Sequence, residues 1–492
     1  MPADHLTLPR QLGLSYLSLG ISLILGPFLI FLMTRTLSLT EYGVYTLLAS
    51  VVTLSGVIFD LGISQYLITK LPGMKQKTKW RIQASILYLH LIFVLVLLVF
   101  SFTPSLFNFL ISVIKIQGYE TEFSFALFVA AGSIIFRVCN SFLIANKRLE
   151  FKALTDILPN MVLAVMLTFI YILFNSLTVI SLMVIWLFGF LTAAVLGVVY
   201  LRMRNEFRFS SLSFNDAKNG YLFSLPLLPA IVGEWSVILV NRFFLNAWHG
   251  AETVALFALA YALVMIVNTV GNAVTNVLYP HIAERWNQKK DANFLFNSAL
   301  KYAMVIVLPG TFILLSFGEQ IITMISGVRY APAAAVLPYL VWFPVIFVLI
   351  YLFRQQLLLR NRTKLMGLIF AGGAILNIIL NLILIPPFAM VGAAISTLLS
   401  YLAIYGAAWY FCRGFFAWHW RFLKLERILA ASVIISILFL FINTSSASLK
   451  IGALIVAGII YILLLFFLKV FDKNELEMLK GFLKSLMRIH AS

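Results

Sequence analysis

The sequence predicts an all-α polytopic membrane protein with about fourteen transmembrane helices. Apolar stretches long enough to cross a bilayer, which takes roughly 20 residues per helix, recur along the whole chain. The 492 residues are 62% hydrophobic and only 11% charged, and a soluble core could not bury so much apolar surface. Lysine and arginine gather in every second gap between the stretches, as the positive-inside rule requires.

The spans follow one another in chain order, with ends that pattern alone defines only to within several residues. The segment 104–122 lies between two of them and is expected to hold a re-entrant or interfacial piece. The predicted spans are 12–34, 42–69, 82–103, 123–146, 154–175, 178–201, 220–246, 251–279, 299–325, 332–358, 364–386, 389–411, 428–443 and 449–470.

The basic residues orient these spans. With the N-terminus inside, Arg10, the even-numbered loops and the C-terminal tail carry 30 of the 36 lysine and arginine residues. The odd-numbered loops carry only Arg35, Lys115, Arg329 and Lys450. We therefore expect both termini in the cytoplasm, with span one retained rather than cleaved as a signal peptide. This rule also explains the net charge of +18 without a nucleic-acid partner.

The loops on the other face argue against an enzyme. They are short and carry no catalytic motif, whereas a membrane enzyme needs acids or bases at a water-exposed site. The two cysteines, Cys139 and Cys412, have a spacing that suits neither a metal site nor a disulfide framework. We expect no cofactor.

A faint repeat divides the chain into halves. The turn RTLSLTEYGVY at 35–45 has a counterpart in WHGAETVALF at 248–257, and six spans follow in each half. Span one is interrupted by Gly26-Pro27 and span seven by PLLP at 226–229. Helices broken at corresponding places in two halves point to a transporter's central site, although proline is also common in membrane helices generally.

Several motifs resemble Wzx-type O-antigen and polysaccharide flippases, in the polysaccharide-transporter branch of the multidrug/oligosaccharidyl-lipid/polysaccharide exporter superfamily. The resemblance covers roughly residues 8–411, and one departure is Asn241, where many relatives have aspartate. The motifs are RTLSLTEYGVY (35–45), FDLGISQ (59–65), LP (225–226), NRFFL (241–245), Tyr261, NIILN (377–381), IP (385–386) and GAAIST (392–397).

The resemblance implies a MATE-like fold of two six-helix lobes around a central cavity, with two C-terminal helices outside it. The corresponding units are 1–210, 211–415 and 416–492. It also implies a flippase that carries undecaprenyl-pyrophosphate-linked oligosaccharide across the bacterial cytoplasmic (inner) membrane by alternating access. Implied partners are the lipid-linked glycan, the bilayer, a polysaccharide polymerase and a chain-length regulator. A small-molecule or multidrug cation antiporter of the same superfamily is the alternative.

Charged residues within the spans are the candidate substrate site, because charge deep in a bilayer is usually paired, hydrated or functional. Asp60 and Arg137 each lie ten residues from a lysine at the cytoplasmic face, roughly 15 Å deep, and are expected to share a watery cavity. The alternative is a buried pair that fixes helix packing. Guanidinium matches phosphate bidentately, so Arg137 and Arg242 are candidates for binding pyrophosphate. Arg35 and Arg354 are further candidates, although both lie near span ends and can snorkel.

A second set of polar residues predicts a coupling site. Asn377 and Asn381 share a helix face, Thr397 lies in the next span, and Glu234 is the deepest acid. Their oxygens suit a hard cation, and the resemblance places a cation site among spans seven, eleven and twelve. We therefore expect H+ or Na+ coupling here, with a possible monovalent cation at Glu234. Ordinary interhelical hydrogen bonding is the alternative.

Overall fold

Most of the residues that the computed structural model describes are helical, and none of them forms a strand. The described residues are 7–174, 176–209, 212–360, 362–415, 418–440, 446–472 and 475. Ten of the described helices are long and apolar enough to cross a membrane, or eleven if one bent pair counts as a span. The chain is therefore a multi-pass membrane protein.

Seventeen α-helices are described, and we number them in chain order. Short 3-10 turns at Leu71–Gly73, Leu225–Leu227 and Val328–Val336 connect some of them. The helices are α1 Thr7–Thr36, α2 Leu39–Asp60, α3 Ile63–Lys70, α4 Gln76–Ser101, α5 Pro104–Ile114, α6 Glu120–Ala145, α7 Leu149–Phe174, α8 Val179–Met203, α9 Phe214–Ser224, α10 Leu228–Asn287, α11 Asn293–Ser326, α12 Leu337–Leu340, α13 Phe343–Leu359, α14 Thr363–Cys412, α15 Trp420–Leu423, α16 Leu425–Leu440 and α17 Ala447–Phe467.

Two of these helices are too long to cross a bilayer once. α10 has 60 residues and α14 has 50, so at 1.5 Å per residue each exceeds twice the roughly 30 Å of the hydrocarbon core. A non-helical residue breaks each one, Gly250 with φ 80° in α10 and Ala389 with φ 46° in α14. Each helix therefore consists of two arms. Fourteen spans would require four additions to these ten: α10 and α14 would each count as two, and the bent pair Val328–Leu340 and Phe343–Leu359 and the 16-residue α16 would each count as one. The count of fourteen therefore stays a prediction.

Span two differs from its prediction in one respect. The helix expected over 42–69 stops at Asp60 and restarts at Ile63, because Leu61 and Gly62 adopt left-handed conformations with φ 48° and 73°. The expected piece within 104–122 is the 11-residue helix α5.

The helices pack into two groups. In the N-terminal lobe α6 contacts α2, α3, α4 and α8, while α7 contacts α1 and α8. In the C-terminal lobe α10 contacts α11, α13 and α14, while α16 packs against α11 and α17 packs against α16. The helix α9 lies just after the predicted lobe boundary at 210/211, yet it packs against α3 and α4 of the N-terminal lobe.

The main contact between the lobes is α2 against α10. At Gly43 the helices approach so closely that an added Cβ would lie 1.9 Å from the Ala251 carbonyl oxygen. We call the helix ends at segments 70–81, 145–152, 202–218, 285–301 and 354–364 the basic end. The ends at 35–41, 101–120, 248–252 and 325–330 form the opposite end, where Gly43 and Ala251 lie.

Candidate transport site

The N-terminal lobe contains a cavity of about 590 Å³, which we call the N-lobe cavity. It lies among the halves of α2, α6 and α7 nearer the basic end, together with α3 and α8, and part of its wall comes from α10. Its polar and aromatic lining includes Asp60, Ser64, Arg137, Asn140, Ser141 and Trp186. The cavity therefore holds both charged residues that the sequence places at matching depth.

Arg137 is a cation in this cavity with no acceptor of its own. Among the residues that the structure describes, none accepts a hydrogen bond from its guanidinium or forms an ion pair with it. The side chain lies across Gly56 of α2, where an added Cβ would be 2.7 Å from Arg137 Nε. The small residue thus makes room for the guanidinium at the cavity wall.

Asp60, the last residue of α2, faces the same cavity without pairing with Arg137. Its carboxylate accepts a hydrogen bond of 2.5 Å from Ser64 on α3, and Ser64 in turn accepts one of 2.7 Å from Ser141 on α6. The break at Leu61 and Gly62 turns the chain so that Ser64 can reach back to the carboxylate. Asp60 is therefore held by hydroxyl groups, which leaves Arg137 available to an anion.

A second cavity of about 550 Å³, the C-lobe cavity, lies between α10 and α13. Arg354 on α13 donates to Glu234 on α10 at 2.9 Å, and both side chains are only 21–30% exposed. Trp235, the next residue of α10, lines both cavities. The two cavities therefore adjoin at Trp235.

The second arm of α10 presents an asparagine face to the C-lobe cavity, formed by Asn268, Asn272 and Asn276 at intervals of four. Tyr351 on α13 donates to Asn276 Oδ1. Within the described residues, the buried side-chain oxygens of Asn268 and Asn272 have no hydrogen-bond partner. This wall is polar but uncharged.

Three members of the predicted coupling site do meet in the C-terminal lobe. Asn381 donates to Asn377 at 2.9 Å, and Asn241 donates to Thr397 at 3.2 Å. Ser396 donates to Asn381, and Asn377 donates to Ser400 at 3.2 Å. The buried Oδ1 of Asn241 has no partner among the described residues. We call these six residues the amide cluster: Asn241, Asn377, Asn381, Ser396, Thr397 and Ser400. None of the six carries a carboxylate.

Glu234 does not join the amide cluster, although it was predicted to. It lies seven residues before Asn241 on α10, which puts the two on nearly the same face but about 10 Å apart along the helix. That distance places Glu234 at the C-lobe cavity with Arg354, while Asn241 is fully buried against α14.

Two predicted phosphate-binding arginines lie away from both cavities. Arg242 donates to Ser50 Oγ at 2.9 Å and to the Thr46 carbonyl at 3.3 Å, so it joins the two lobes through α2. Arg35 donates to the Ile325 and Met324 carbonyls at 3.2 and 3.0 Å, at the end of α11. Arg354 lines the C-lobe cavity instead of snorkelling to the interface.

The sequence interpretation missed the asparagine face, Trp235 and the two serines that hold Asp60. A signal for the asparagines was present, because three amides at intervals of four are unusual in an apolar span. No local signal marks Trp235 as the residue that borders both cavities.

A family model described as "Polysaccharide biosynthesis protein" matches residues 32–335 of the chain. The chain is also similar to a protein of Haloferax volcanii named "Probable low-salt glycan biosynthesis flippase Agl15", with 25% identity over 201 residues, 40% of this chain and 39% of that protein. The chain spans about two fifths to one half of the length of the curated relatives it matches.

Two solved structures share the fold. One is the lipid II flippase MurJ in an inward closed conformation, with a TM-score of 0.76 at 14% identity over 93% of this chain and 98% of that chain. The other is an inward-facing multidrug resistance MATE family transporter of the MOP superfamily, with a TM-score of 0.63 at 15% identity over 79% and 93%. The predicted MATE-like architecture is thereby confirmed.

Proposed function

This chain belongs to the polysaccharide biosynthesis protein family, and we propose that it is a flippase for undecaprenyl-pyrophosphate-linked oligosaccharide. It works in the bacterial cytoplasmic membrane with both termini in the cytoplasm, and it supplies glycan to a polymerase and chain-length regulator on the other side. The similarity to a glycan biosynthesis flippase supports this proposal, and so does the geometry of the N-lobe cavity.

The observation that carries the proposal is the unpaired guanidinium of Arg137 in the N-lobe cavity. Asp60 lies near enough for an electrostatic interaction but does not contact the Arg137 guanidinium, and a bidentate phosphate is the ligand that guanidinium geometry fits best. The hydrogen bond from Ser64 holds the Asp60 carboxylate toward α3 rather than toward Arg137. Pyrophosphate therefore meets a cation that forms no ion pair with Asp60 or Asp156, the two carboxylates of the same cavity lining.

The approach to this cavity is also suited to an anion. The lining residues Asp60, Gln65, Asn140 and Ile144 lie toward the basic end of their helices. Lysine and arginine at that end create a positive field that raises the local concentration of anionic headgroups. The opposite end is closed between the lobes by Arg35, Arg242 and the contact at Gly43.

Transport follows as alternating access without covalent chemistry. The pyrophosphate binds at Arg137, the glycan lies in the cavity space that adjoins it, and the lipid tail stays in the bilayer. The lobes then rock so that the opposite end opens. An ion drives this cycle only through its difference in affinity for the two states.

We place coupling at Glu234, with H+ as the ion. Its carboxylate is paired with Arg354, and protonation would break this ion pair between α10 and α13 and so bias the packing of the two helices. The amide cluster lacks a carboxylate, so it offers a cation only neutral oxygens.

Vesicles test the flippase proposal directly. The full chain is reconstituted with undecaprenyl pyrophosphate carrying a short oligosaccharide, and the sugar exposed outside is oxidised with impermeant periodate. Without protein about half of the glycan should react, whereas with the chain nearly all should react over time.

The Arg137→Gln variant should slow this reaction by about 30-fold or more, because a charge-assisted bidentate contact is lost. Arg413→Gln, an exposed arginine outside both cavities, is the matched control and should leave the rate unchanged. Wild-type vesicles that oxidise only half of the glycan, but export a cationic dye, would replace the proposal with the antiporter alternative.

A further inference from the structure

We propose that the C-lobe cavity is the glycan subsite, in which the asparagine face of α10 recognises sugar hydroxyl and acetamido groups. The inference rests on the proposed flippase function and goes further by assigning the two parts of the substrate to two cavities. The pyrophosphate lies at Arg137 in the N-lobe cavity, and the first sugars lie along Asn268, Asn272 and Asn276.

The asparagine face has unused hydrogen-bonding capacity. Asn268 is only 3% exposed, and its Oδ1 has no partner among the described residues, as is also true of Asn272 Oδ1. Buried amide oxygens in native proteins are nearly always hydrogen-bonded. Both residues line the C-lobe cavity, so a rotation of each side chain brings an amide oxygen without a partner to a ligand held there.

The chemistry of this wall fits a neutral polyhydroxylated ligand. Each amide offers two donors and an acceptor, which can match adjacent sugar hydroxyls without any charge. Glu234 and Arg354 neutralise each other in the same cavity, so an uncharged sugar is not excluded by an uncompensated ion. The volume of about 550 Å³ lies within the roughly 300–1,000 Å³ range of small-molecule sites.

Trp235 supplies the connection between the two parts of the substrate. It borders the cavity that holds Arg137 and the cavity that holds the asparagine face. An indole ring offers an apolar face on which the C–H face of a pyranose can pack. A pyrophosphate on one side of Trp235 and a sugar on the other can therefore belong to one molecule.

Two lipids that differ only in the glycan separate this inference from the flippase proposal. The affinity of the purified full chain is measured for undecaprenyl pyrophosphate and for the same lipid carrying an N-acetylglucosamine disaccharide. We expect the wild type to bind the glycosylated lipid about tenfold more tightly. The double variant Asn268→Leu/Asn272→Leu should lose that advantage, while its affinity for the bare lipid stays at the wild-type value.

Thr269→Val is the matched control, because Thr269 lines the same cavity but its hydroxyl already donates to the Met265 carbonyl. It should keep the preference, whereas Arg137→Gln should weaken binding of both lipids. An unchanged preference in the double variant, or no preference in the wild type, would overturn the glycan subsite. Failure of the wild type to bind the bare lipid would instead overturn the flippase proposal.

Discussion

Arg35 and Arg329 hold each other's helices at the opposite end of the molecule. Arg35, near the end of α1, donates to the carbonyls of Ile325 and Met324 near the end of α11. Arg329 follows α11 and donates to the Thr34 and Leu37 carbonyls near the end of α1, at 2.6 Å for Leu37. The terminal carbonyls of a helix are electron-rich and lack intrahelical partners, so each arginine caps the helix of the other lobe.

Loss of either arginine should let the two lobes separate at the end of the molecule opposite the basic end. We expect Arg35→Gln and Arg329→Gln each to remove about 1 kcal/mol from the closed state, which shifts the population roughly fivefold toward the open one. Spin labels are attached to cysteines introduced at Gln117 in one lobe and at Val328 in the other. Pulsed electron paramagnetic resonance should then show a longer distance between the two labels. The substitutions Cys139→Ala and Cys412→Ala remove the two native thiols beforehand.

The double variant Arg35→Gln/Arg329→Gln tests whether the two caps form one latch. Caps that act on the same opening motion should shift the population further together than either does alone. A label distance that stays at the wild-type value in the double variant would show that other contacts keep the lobes closed.

Gly56→Ala should impair transport chiefly by displacing the Arg137 guanidinium. The new Cβ would lie 2.7 Å from Arg137 Nε and 3.2 Å from Ser133 Oγ, so the guanidinium must leave its place. Because the arginine side chain is flexible, the fold should tolerate the change, while the displaced guanidinium should lower the transport rate about tenfold, which corresponds to about 1.4 kcal/mol. Gly20→Ala is the control, because nothing lies within 4 Å of its added Cβ. Equal rates for both variants would show that the position of Arg137 does not limit transport.

For the polar residues within the spans, the sequence predicted their depth in the membrane better than the direction in which their side chains point. Asp60 and Arg137 could be assigned to one cavity because each lies a fixed number of residues from the basic end, and the structure confirms that they share it. The meeting of Asn377, Asn381 and Thr397 was predictable for the same reason. The roles assigned to these residues stay predictions.

The pairing of Glu234 with Arg354 was not predictable, since 120 residues separate them and pairing depends on how α10 and α13 face each other. Arg242 illustrates the same limit. It lies as deep as a phosphate-binding residue should, but it points to Ser50 on α2. The depth of a residue in the membrane follows from counting residues along its span. Which neighbouring helix its side chain contacts depends on how the helices pack.

Glu475, which follows α17 in the chain, should stabilise the fold through a buried ion pair with Lys301. Lys301 at the start of α11 is fully buried and donates to Glu475 at 2.8 and 2.9 Å, and Tyr302 donates to the same carboxylate at 2.8 Å. Glu475→Gln leaves the buried ammonium without its charge partner, which typically costs about 3–5 kcal/mol, so the melting temperature in detergent should fall clearly.

Lys301→Met/Glu475→Met distinguishes pairing from packing at this site. Because both charges are removed, the double variant should melt above either single variant. A double variant that melts below both would indicate that the hydrogen bonds of Tyr302 and the tail, rather than the charges, hold this region.

Glu234→Gln should uncouple transport from an ion gradient. Glutamine keeps the shape of the side chain but can neither ionise nor exchange a proton, and Arg354 then loses its carboxylate partner. We expect transport in the absence of a gradient to stay within a few-fold of the wild type, while the acceleration by an inward or outward pH gradient disappears. The measurement is the periodate reaction in vesicles with and without an imposed gradient. Glu284→Gln, on the same helix but outside both cavities, should keep the full response, and a wild-type response in Glu234→Gln would remove this carboxylate from coupling.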